Sequence, residues 1–290
     1  MIVFSDLDGT LLTTAKTVSA ATWRALDALA GRGFDFVPCT GRPLAGVAAE
    51  LLAHPAVRYV VSANGATVSE LAEDDPTAAS AHTIHSALLD RARALAVLDI
   101  ARDYDVTFDV FADGCNYLRR DLYERLDEFM SEPDILKSMI DTRIPVDEDA
   151  GVTIRRVRDL ERVSMYWKDP ADRDAILSRL ATLPGVDITR SYPTNIEVMA
   201  KGASKGSALA WLCAHLDLDT REAVAFGDNM NDIEMIRCAG TGVAVANAEA
   251  EVRAAADLVC ATNDGDGVAR TIMDLLARSA SATEEATEEN

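Results

Sequence analysis

Long apolar runs are missing from this chain of 290 residues. No stretch approaches the ~18–20 apolar residues a membrane-spanning helix requires, so no membrane partner is expected. Met1 leads straight into the first predicted strand, which leaves no room for the layout of a signal peptide. Cysteine is sparse. The five (Cys39, Cys115, Cys213, Cys238, Cys260) are scattered, odd in number and without paired spacing, so neither a disulfide framework nor a zinc site is read, and a cytoplasmic setting fits. Positive charge is short as well: 28 Lys+Arg stand against 48 Asp+Glu, a formal net charge of −20. With no basic stripe to neutralise phosphates, nucleic acid is not expected as a partner. A small anionic substrate stays compatible, since a metal, one lysine and helix N-termini suffice for a local positive pocket. No internal repeat is visible.

What is present is ordinary globular material, 49% hydrophobic and 26% charged, in a length that suits two domains. Part of the acidity lies in 279–290, a Ser/Ala/Thr/Glu-rich stretch with no apolar residue larger than alanine. It is expected to be a disordered acidic tail.

The chemistry begins at Ile2-Val3-Phe4-Ser5-Asp6-Leu7-Asp8-Gly9-Thr10. The apolar run reads as a buried strand, and Gly9 lets the chain turn out of it. Alternation along an extended strand lets Asp6 and Asp8 reach one small volume at its C-terminal end. Two carboxylates there repel each other and lose hydration, at a cost of several kcal/mol unless a cation or proton compensates. A hard cation with oxygen ligands, Mg²⁺, resolves this best. A surface Asx turn is the plainer reading of an isolated Asp-x-Asp.

Downstream the pattern alternates. A helix capped by Ser19 is followed by a strand over 34–39 that empties into Thr40-Gly41-Arg42-Pro43, then a helix over 44–52. A third strand over 57–62 ends in the turn Ala63-Asn64-Gly65. Strands alternating with helices imply parallel pairing, right-handed crossovers and ligands at C-terminal strand ends. Asp6, Asp8, Thr40 and Asn64 all fall at such ends. The rhythm breaks at a linker-like stretch, 70–81. Beyond it the pattern predicts a helix over 86–104, strands over 106–111, 115–119, 152–157, 163–167, 186–189 and 195–199, and a helix over 171–183. Short turns between strands suggest an antiparallel sheet with helices on one face. The first rhythm returns at Ala203: Ser204 caps a helix with Lys205 in its first turn. A strand over 222–226 ends in Gly227-Asp228-Asn229-Met230-Asn231-Asp232, and another over 242–246 ends at Asn247. The expectation is an α/β protein: a Rossmann-like parallel-sheet core from 1–81 and 200–278, with an inserted α+β cap domain over 82–199.

Taken singly, Thr40 reads as a helix cap, Lys205 as a solvated lysine and the 227–232 run as a polar loop. Together they supply a carboxylate nucleophile, a second carboxylate, a hydroxyl, a fixed cation and a metal-ligand acid, which is the equipment of phosphoryl transfer. Asp6-Leu7-Asp8-Gly9-Thr10, Thr40-Gly41-Arg42, Ser204-Lys205-Gly206 and Gly227-Asp228-Asn229-Met230-Asn231-Asp232 resemble the four motifs of the haloacid dehalogenase superfamily. The insert between the second and third motifs, and Asp266-Gly267-Val268, resemble its Cof-type phosphatase branch, subclass IIB. The likeness covers Ile2 to about Leu276. Ser5 departs from it, standing where that family often has an aromatic or apolar residue.

The resemblance implies a Mg²⁺-dependent phosphatase of small phosphorylated metabolites, sugar phosphates foremost. In it Asp6 attacks phosphorus to form an aspartyl-phosphate, and Asp8 is the general acid and then the general base. Asp6, Asp8 (through its carbonyl) and Asp228 hold the metal. Thr40, Gly41, Lys205 and Asn231 bind the phosphoryl group, while Asp232, Arg42, Asn64 and Asn247 support. The cap excludes water and selects the leaving group. A phosphomutase or phosphotransferase on the same core, and a non-catalytic binding module, remain as alternatives.

Overall fold

The computed structural model describes the backbone of residues 1–288 and the side chains of residues 1–279. The chain first lays down strands β1 (Ile2–Ser5), β2 (Asp35–Pro38), β3 (Tyr59–Ser62), β4 (Thr67–Glu70) and β5 (His82–Ser86). It then builds β6 (Asp109–Ala112), β7 (Cys115–Arg119), β8 (Arg143–Val146), β9 (Leu160–Tyr166), β10 (Val186–Thr189) and β11 (Asn195–Ala200). It closes with β12 (Ala223–Gly227), β13 (Thr241–Ala244) and β14 (Leu258–Val259).

The main sheet is parallel throughout, in the order β14-β13-β12-β1-β2. Its central strand β1 is buried on both faces, as the unbroken apolar run requires. Val3 packs toward Leu26, Leu29, Phe36 and Ile272. Ile2 and Phe4 pack the other way, toward Leu209, Leu212 and Met235. Helices Ala20–Ala30 and Gly267–Glu288 thus cover one face, Lys205–His215 and Ile233–Cys238 the other. Ser19 caps the first of them through Thr22 N, as its sequence position predicts.

The third strand keeps the expected parallel direction beside β2 but builds its ladder elsewhere. β3 pairs antiparallel with β4, and β4 with β5, in a separate three-stranded sheet. Its tie to the main sheet is the parallel bridge of Cys39 with Val61, where Thr40 N–H donates to the Val61 carbonyl at 2.9 Å. The cause is local: Ala63, Asn64 and Gly65 all adopt positive φ (48°, 59° and 92°), which folds the chain back at once instead of releasing it into a crossover. His82–Ser86, placed by the sequence reading at the start of the cap, therefore pairs within this sheet, and the helix expected over 86–104 spans Arg91–Ala101. Asp90 caps it by accepting from Ala92 N and Arg93 N. The helix expected over 44–52 is only a 3-10 turn, Leu44–Gly46, and a short helix, Ala49–Leu52.

The insert is a six-stranded sheet, β10-β11-β9-β6-β7-β8, antiparallel except between β7 and β8. Helices Arg91–Ala101, Ala150–Arg156 and Pro170–Leu180 cover one face, packing on Val110, Val163, Met165, Ile196 and Val198. The strand expected over 152–157 is one of these helices. Asp149 caps it at Gly151 N, which outweighs the β-branched residues Val152, Thr153 and Ile154. Helix Pro133–Thr142 and β8 lie where the sequence pattern assigned no element. The last helix reaches Glu288, into the segment read as a disordered tail. Alanine and glutamate are strong helix formers, and a helix anchored by Val268, Ile272 and Leu276 propagates without a new nucleus. Whatever else that reading held of 279–290 lies outside the described residues.

Candidate active site

The C-terminal ends of three parallel strands, β1, β2 and β12, meet at one cavity of about 290 Å³, walled by the core below and the free face of the cap sheet above. Asp6 leaves β1 with its backbone N–H on the Phe226 carbonyl (3.0 Å) and its side chain only 9% exposed. Lys205 comes from the helix Ser204 caps and is fully buried. Its Nζ donates to Asp6 Oδ1 at 2.5 Å and to Asp232 Oδ1 at 2.6 Å. The other oxygen of Asp232 accepts from Asp228 N (2.9 Å) and Asn229 N (3.0 Å), so Asp232 fixes both the lysine and the loop after β12. Gly9, at φ 85°, brings the turn so close that an added Cβ would stand 2.6 Å from Asp228 Oδ2. Only glycine fits there.

Asp8 lies on the rim and is held by two cations. Arg42 grips it with Nε to Oδ2 at 2.6 Å and Nη2 to Oδ1 at 2.7 Å, and Lys16 adds a 2.8 Å contact. Thr40 is buried, and its Oγ1 accepts from Arg42 N. Gly41 N–H makes no hydrogen bond among the described residues and lines the cavity. Asn231 Nδ2 donates to Asn64 Oδ1 (2.9 Å), and Asn64 Nδ2 reaches across to Glu197 of the cap (2.5 Å). Asn247 stands back from the cavity: it donates to the Gly9 carbonyl (2.8 Å) and accepts from Asn263 N (3.0 Å), bracing the turn behind Asp8.

The charges do not balance. Burial, with Asp232 and Asp8 nearby, pushes Asp6 up to about 7 despite Lys205. Burial and the neighbouring Asp6 and Asp232 push Asp228 up to about 8, against the Thr10 hydroxyl that donates to it at 2.7 Å. Burial opposes the charge on Lys205 as well, but Asp232 and Asp6 outweigh it and hold the ammonium charged. Burial also opposes ionisation of Asp8, yet the Arg42 bonds and charge, with Lys16, keep it well below the usual carboxylate range. One buried ammonium thus faces three carboxylates whose oxygens lie within 4.8 Å of one another. A divalent cation fits that deficit, and an all-oxygen donor set suits Mg²⁺. Asp232 has both oxygens engaged, so Asp6 and Asp228 are the side chains with lone pairs to offer. The Asp8 carbonyl, which accepts no hydrogen bond among the described residues, is a further oxygen with lone pairs to offer.

Every sequence-predicted site residue stands at this cavity or one contact behind it, Asn247 through the Gly9 carbonyl. Sequence reasoning missed Thr10, Lys16 and the whole cap wall, where Arg162 donates to Glu197 (2.7 Å) and to the Gly41 carbonyl (2.7 Å). The signal was the polar half of a strand alternation. Arg162, Ser164 and Tyr166 alternate with Val163 and Met165 and are all buried, which marks a sheet face turned to a ligand rather than to solvent.

The family model for haloacid dehalogenase-like hydrolases matches residues 3–272. Phosphatase YwpJ of Bacillus subtilis is 29% identical over 293 residues, 95% of this chain and 99% of that protein. The 5-amino-6-(5-phospho-D-ribitylamino)uracil phosphatase YcsE of the same organism is 28% identical over 271 residues, 93% and 94% of the two chains. A solved haloacid dehalogenase-like hydrolase from B. subtilis superposes with a TM-score of 0.79 at 27% identity, covering 94% of this chain and 98% of the other. The chain belongs to the haloacid dehalogenase-like hydrolases. Within that family it is an enzyme of the phosphatase kind. Among the described residues no helix is long and apolar enough to cross a membrane.

Proposed function

We propose that the enzyme is a Mg²⁺-dependent phosphatase of small phosphorylated metabolites, foremost sugar phosphates, working through an aspartyl-phosphate on Asp6. The observation that carries this reading is the Asp6 carboxylate, buried on a fixed lysine at 2.5 Å, with a second carboxylate two residues on at the same cavity. YcsE, a relative whose name specifies a phosphoribityl compound, supports a hydroxylated leaving group.

Asp6 Oδ attacks phosphorus in line as the bond to the leaving oxygen breaks, and Asp8 gives that oxygen its proton. Asp8 then takes a proton from the water that attacks the aspartyl-phosphate, freeing Asp6 and inorganic phosphate. Arg42 and Lys16 hold Asp8 ionised, ready as the base. For the acid step Asp8 carries a proton, and the two cations lose their anion. Thr40 Oγ1, Gly41 N–H, Asn231 Nδ2 and Lys205 Nζ bind phosphoryl oxygens, and Asn64 and Asp232 hold Asn231 and Lys205 in place. Asp6, Asp228 and the Asp8 carbonyl would hold Mg²⁺, which would supply the charge that lets a carboxylate approach a phosphate dianion. The inserted sheet acts as a cap that excludes water during attack. Five free cysteines, none bridged, support work in the reducing cytoplasm.

The test is to quench a reaction with acid and locate the phosphoryl label by peptide mapping. Label on Asp6, with inorganic phosphate released in the absence of any acceptor, is the expected result. Label elsewhere overturns the mechanism, and dependence on an acceptor alcohol makes the enzyme a phosphotransferase.

A further inference from the structure

The cap wall of the cavity contains a polar cluster that the phosphoryl chemistry leaves unused. Asp109, on β6, is fully buried and accepts from Arg143 Nε (2.6 Å), Asn116 Nδ2 (3.2 Å) and Thr107 Oγ1 (3.0 Å). An ionised carboxylate only accepts, so the Asn116 nitrogen must face it, and the amide oxygen is turned the other way. That oxygen is buried and has no partner among the described residues, and Asn116 lines the cavity. A buried acceptor left unpaired is destabilising, and a bound donor would recover what it loses. Arg143 lines the same wall, 7% exposed, and its Nη2 has no hydrogen-bond partner among the described residues. Ser164 stands opposite Asp109 in the strand register and also faces the cavity.

The charges on this wall cancel. Arg143 is neutralised by Asp109 and Arg162 by Glu197, at 2.6 and 2.7 Å, and these four side chains are at most 7% exposed. A second phosphate or a carboxylate that reached this wall would meet no surplus positive charge there, since the two cations that share Asp8, Lys16 and Arg42, belong to the core side of the cavity. It would have to break a buried ion pair to find one on this wall. An uncharged group that both donates and accepts meets Asn116 Oδ1 and Arg143 Nη2 as they stand.

We propose that Asn116, Arg143 and Ser164, held by Asp109, form the subsite that reads the leaving group, and that this group is uncharged and hydroxylated, with a hydroxyl donating to Asn116 Oδ1. The proposal deepens the phosphatase reading and rests on it. Its prediction is that substrates are monophosphates of neutral polyols and sugars, and that bisphosphates and phosphorylated carboxylic acids are rejected.

The experiment compares phosphate release from three kinds of ester by the wild type, Asn116→Ala and Ser164→Ala. These are a panel of hexose, pentose and alditol monophosphates; fructose 1,6-bisphosphate with 3-phosphoglycerate; and p-nitrophenyl phosphate, whose leaving group has no hydroxyl donor. The wild type should favour its best neutral monophosphate over both doubly anionic esters by at least about tenfold in kcat/KM. Asn116→Ala should lower kcat/KM for that monophosphate by about tenfold, mainly through KM, and Ser164→Ala by a few-fold. Both variants should leave p-nitrophenyl phosphate within about twofold. Ser164 makes no side-chain hydrogen bond among the described residues, so Ser164→Ala keeps the test intact should Asn116→Ala fail to fold. Equal losses on p-nitrophenyl phosphate and the monophosphate, or a wild type that prefers a doubly anionic ester, overturn the subsite. Release from no ester at all, p-nitrophenyl phosphate included, overturns the phosphatase reading and the subsite with it.

Discussion

The two walls of the cavity handle charge in opposite ways. On the core side Asp6, Asp228 and Asp232 crowd within 4.8 Å against a single buried ammonium, and burial drives Asp6 and Asp228 up to about 7 and 8. On the cap side each buried arginine has its own carboxylate, Arg143 with Asp109 and Arg162 with Glu197. The core wall stores an imbalance that a cation and a transferring phosphoryl group relieve. The cap wall is balanced before anything binds, so it selects by hydrogen-bond pattern and shape. Catalysis needs strain that the transition state removes, whereas selection needs a surface already at rest.

The sharpest way to break this contrast is to remove charge from the core wall. Asp6→Asn should abolish turnover, because an amide does not attack phosphorus at a useful rate, while the metal-free protein melts no lower than the wild type. The substitution relieves carboxylate repulsion and leaves Lys205 paired with Asp232 at 2.6 Å. Calorimetry beside a phosphate-release assay checks both halves. Loss of fold with loss of activity would show that Asp6 is structural in the first place.

Chelation approaches the same imbalance from outside. Exhaustive EDTA treatment should remove activity, and Mg²⁺ added back should raise Tm as well as rate, since a ligand bound only to the folded state stabilises it by mass action. Ca²⁺ should stabilise yet inhibit, because it takes more oxygens at longer distances and draws in the attacking carboxylate. A Tm indifferent to Mg²⁺ in wild type, set beside Asp228→Asn, would remove the metal from this cluster.

A smaller effect separates two lysines near the same hinge. Lys205 is fully buried on Asp6 and Asp232, whereas Lys201 is exposed. Lys205→Ala should lower turnover by roughly 10²–10³, the value of one preorganised charge-stabilising donor. Lys201→Ala should cost under about tenfold, since a loosely held contact contributes mostly uniform binding. The reverse order would move the third motif by four residues.

How much of this was legible follows from how each wall is built. The core site is written in short contiguous pieces, each the end of a parallel strand or the start of a helix. Asp6, Thr40, Lys205 and Asp228 could therefore be placed at one ligand edge from periodicity alone. The cap wall comes from single residues on four separate strands, Asp109, Asn116, Arg162 and Glu197, and the pairing between those strands is not local. Nothing in the sequence near Asp109 announces Arg143, which arrives from a helix–strand unit read as no element. The antiparallel turn-back at Ala63–Gly65 was hidden for a related reason. A turn is visible in Ala-Asn-Gly, but three successive positive φ values are a property of the packed loop.

The cap is not free of unbalanced charge, and Glu161 is the exception that sharpens the comparison. Burial pushes it up to about 7, against the Gly114 N–H that donates to one oxygen and the charge of Arg162; its other oxygen has no partner among the described residues. The native state therefore binds a proton more tightly than the unfolded chain. Stability falls as pH rises from the unfolded value near 4.5 through about 7, and it stays lower above that. Glu161→Gln should raise Tm at pH 8, by up to about 3 kcal/mol of stability, and change it little at pH 4.5. Thermal melts at the two pH values decide it, and an equal gain at both would mean packing rather than ionisation.

The smallest effect is expected where the two walls meet. Arg190, in the cap loop after β10, donates from Nη1 to Glu249 Oε1 at 2.7 Å and from Nη2 to Oε2, a bidentate pair with each side chain 26% exposed. Beside it Asn229 Nδ2 reaches the Ser191 carbonyl (3.2 Å), and Glu249 N–H donates to the Asp228 carbonyl (3.0 Å). A cap residue is thus clasped to the loop that carries Asp228. The same cap loop brings Tyr192 to the cavity. Partly exposed pairs are worth about 0.2–1 kcal/mol, so Arg190→Gln should raise KM only roughly two- to fivefold and leave kcat nearly unchanged. Added salt should raise the wild-type KM toward the variant's and move the variant's own KM little, because screening removes what the substitution has already removed. Glu249→Gln should match it, and the double variant should be no worse than either single one. Additive losses in that cycle would mean that each residue acts through some other contact, leaving the two walls to close without this clasp.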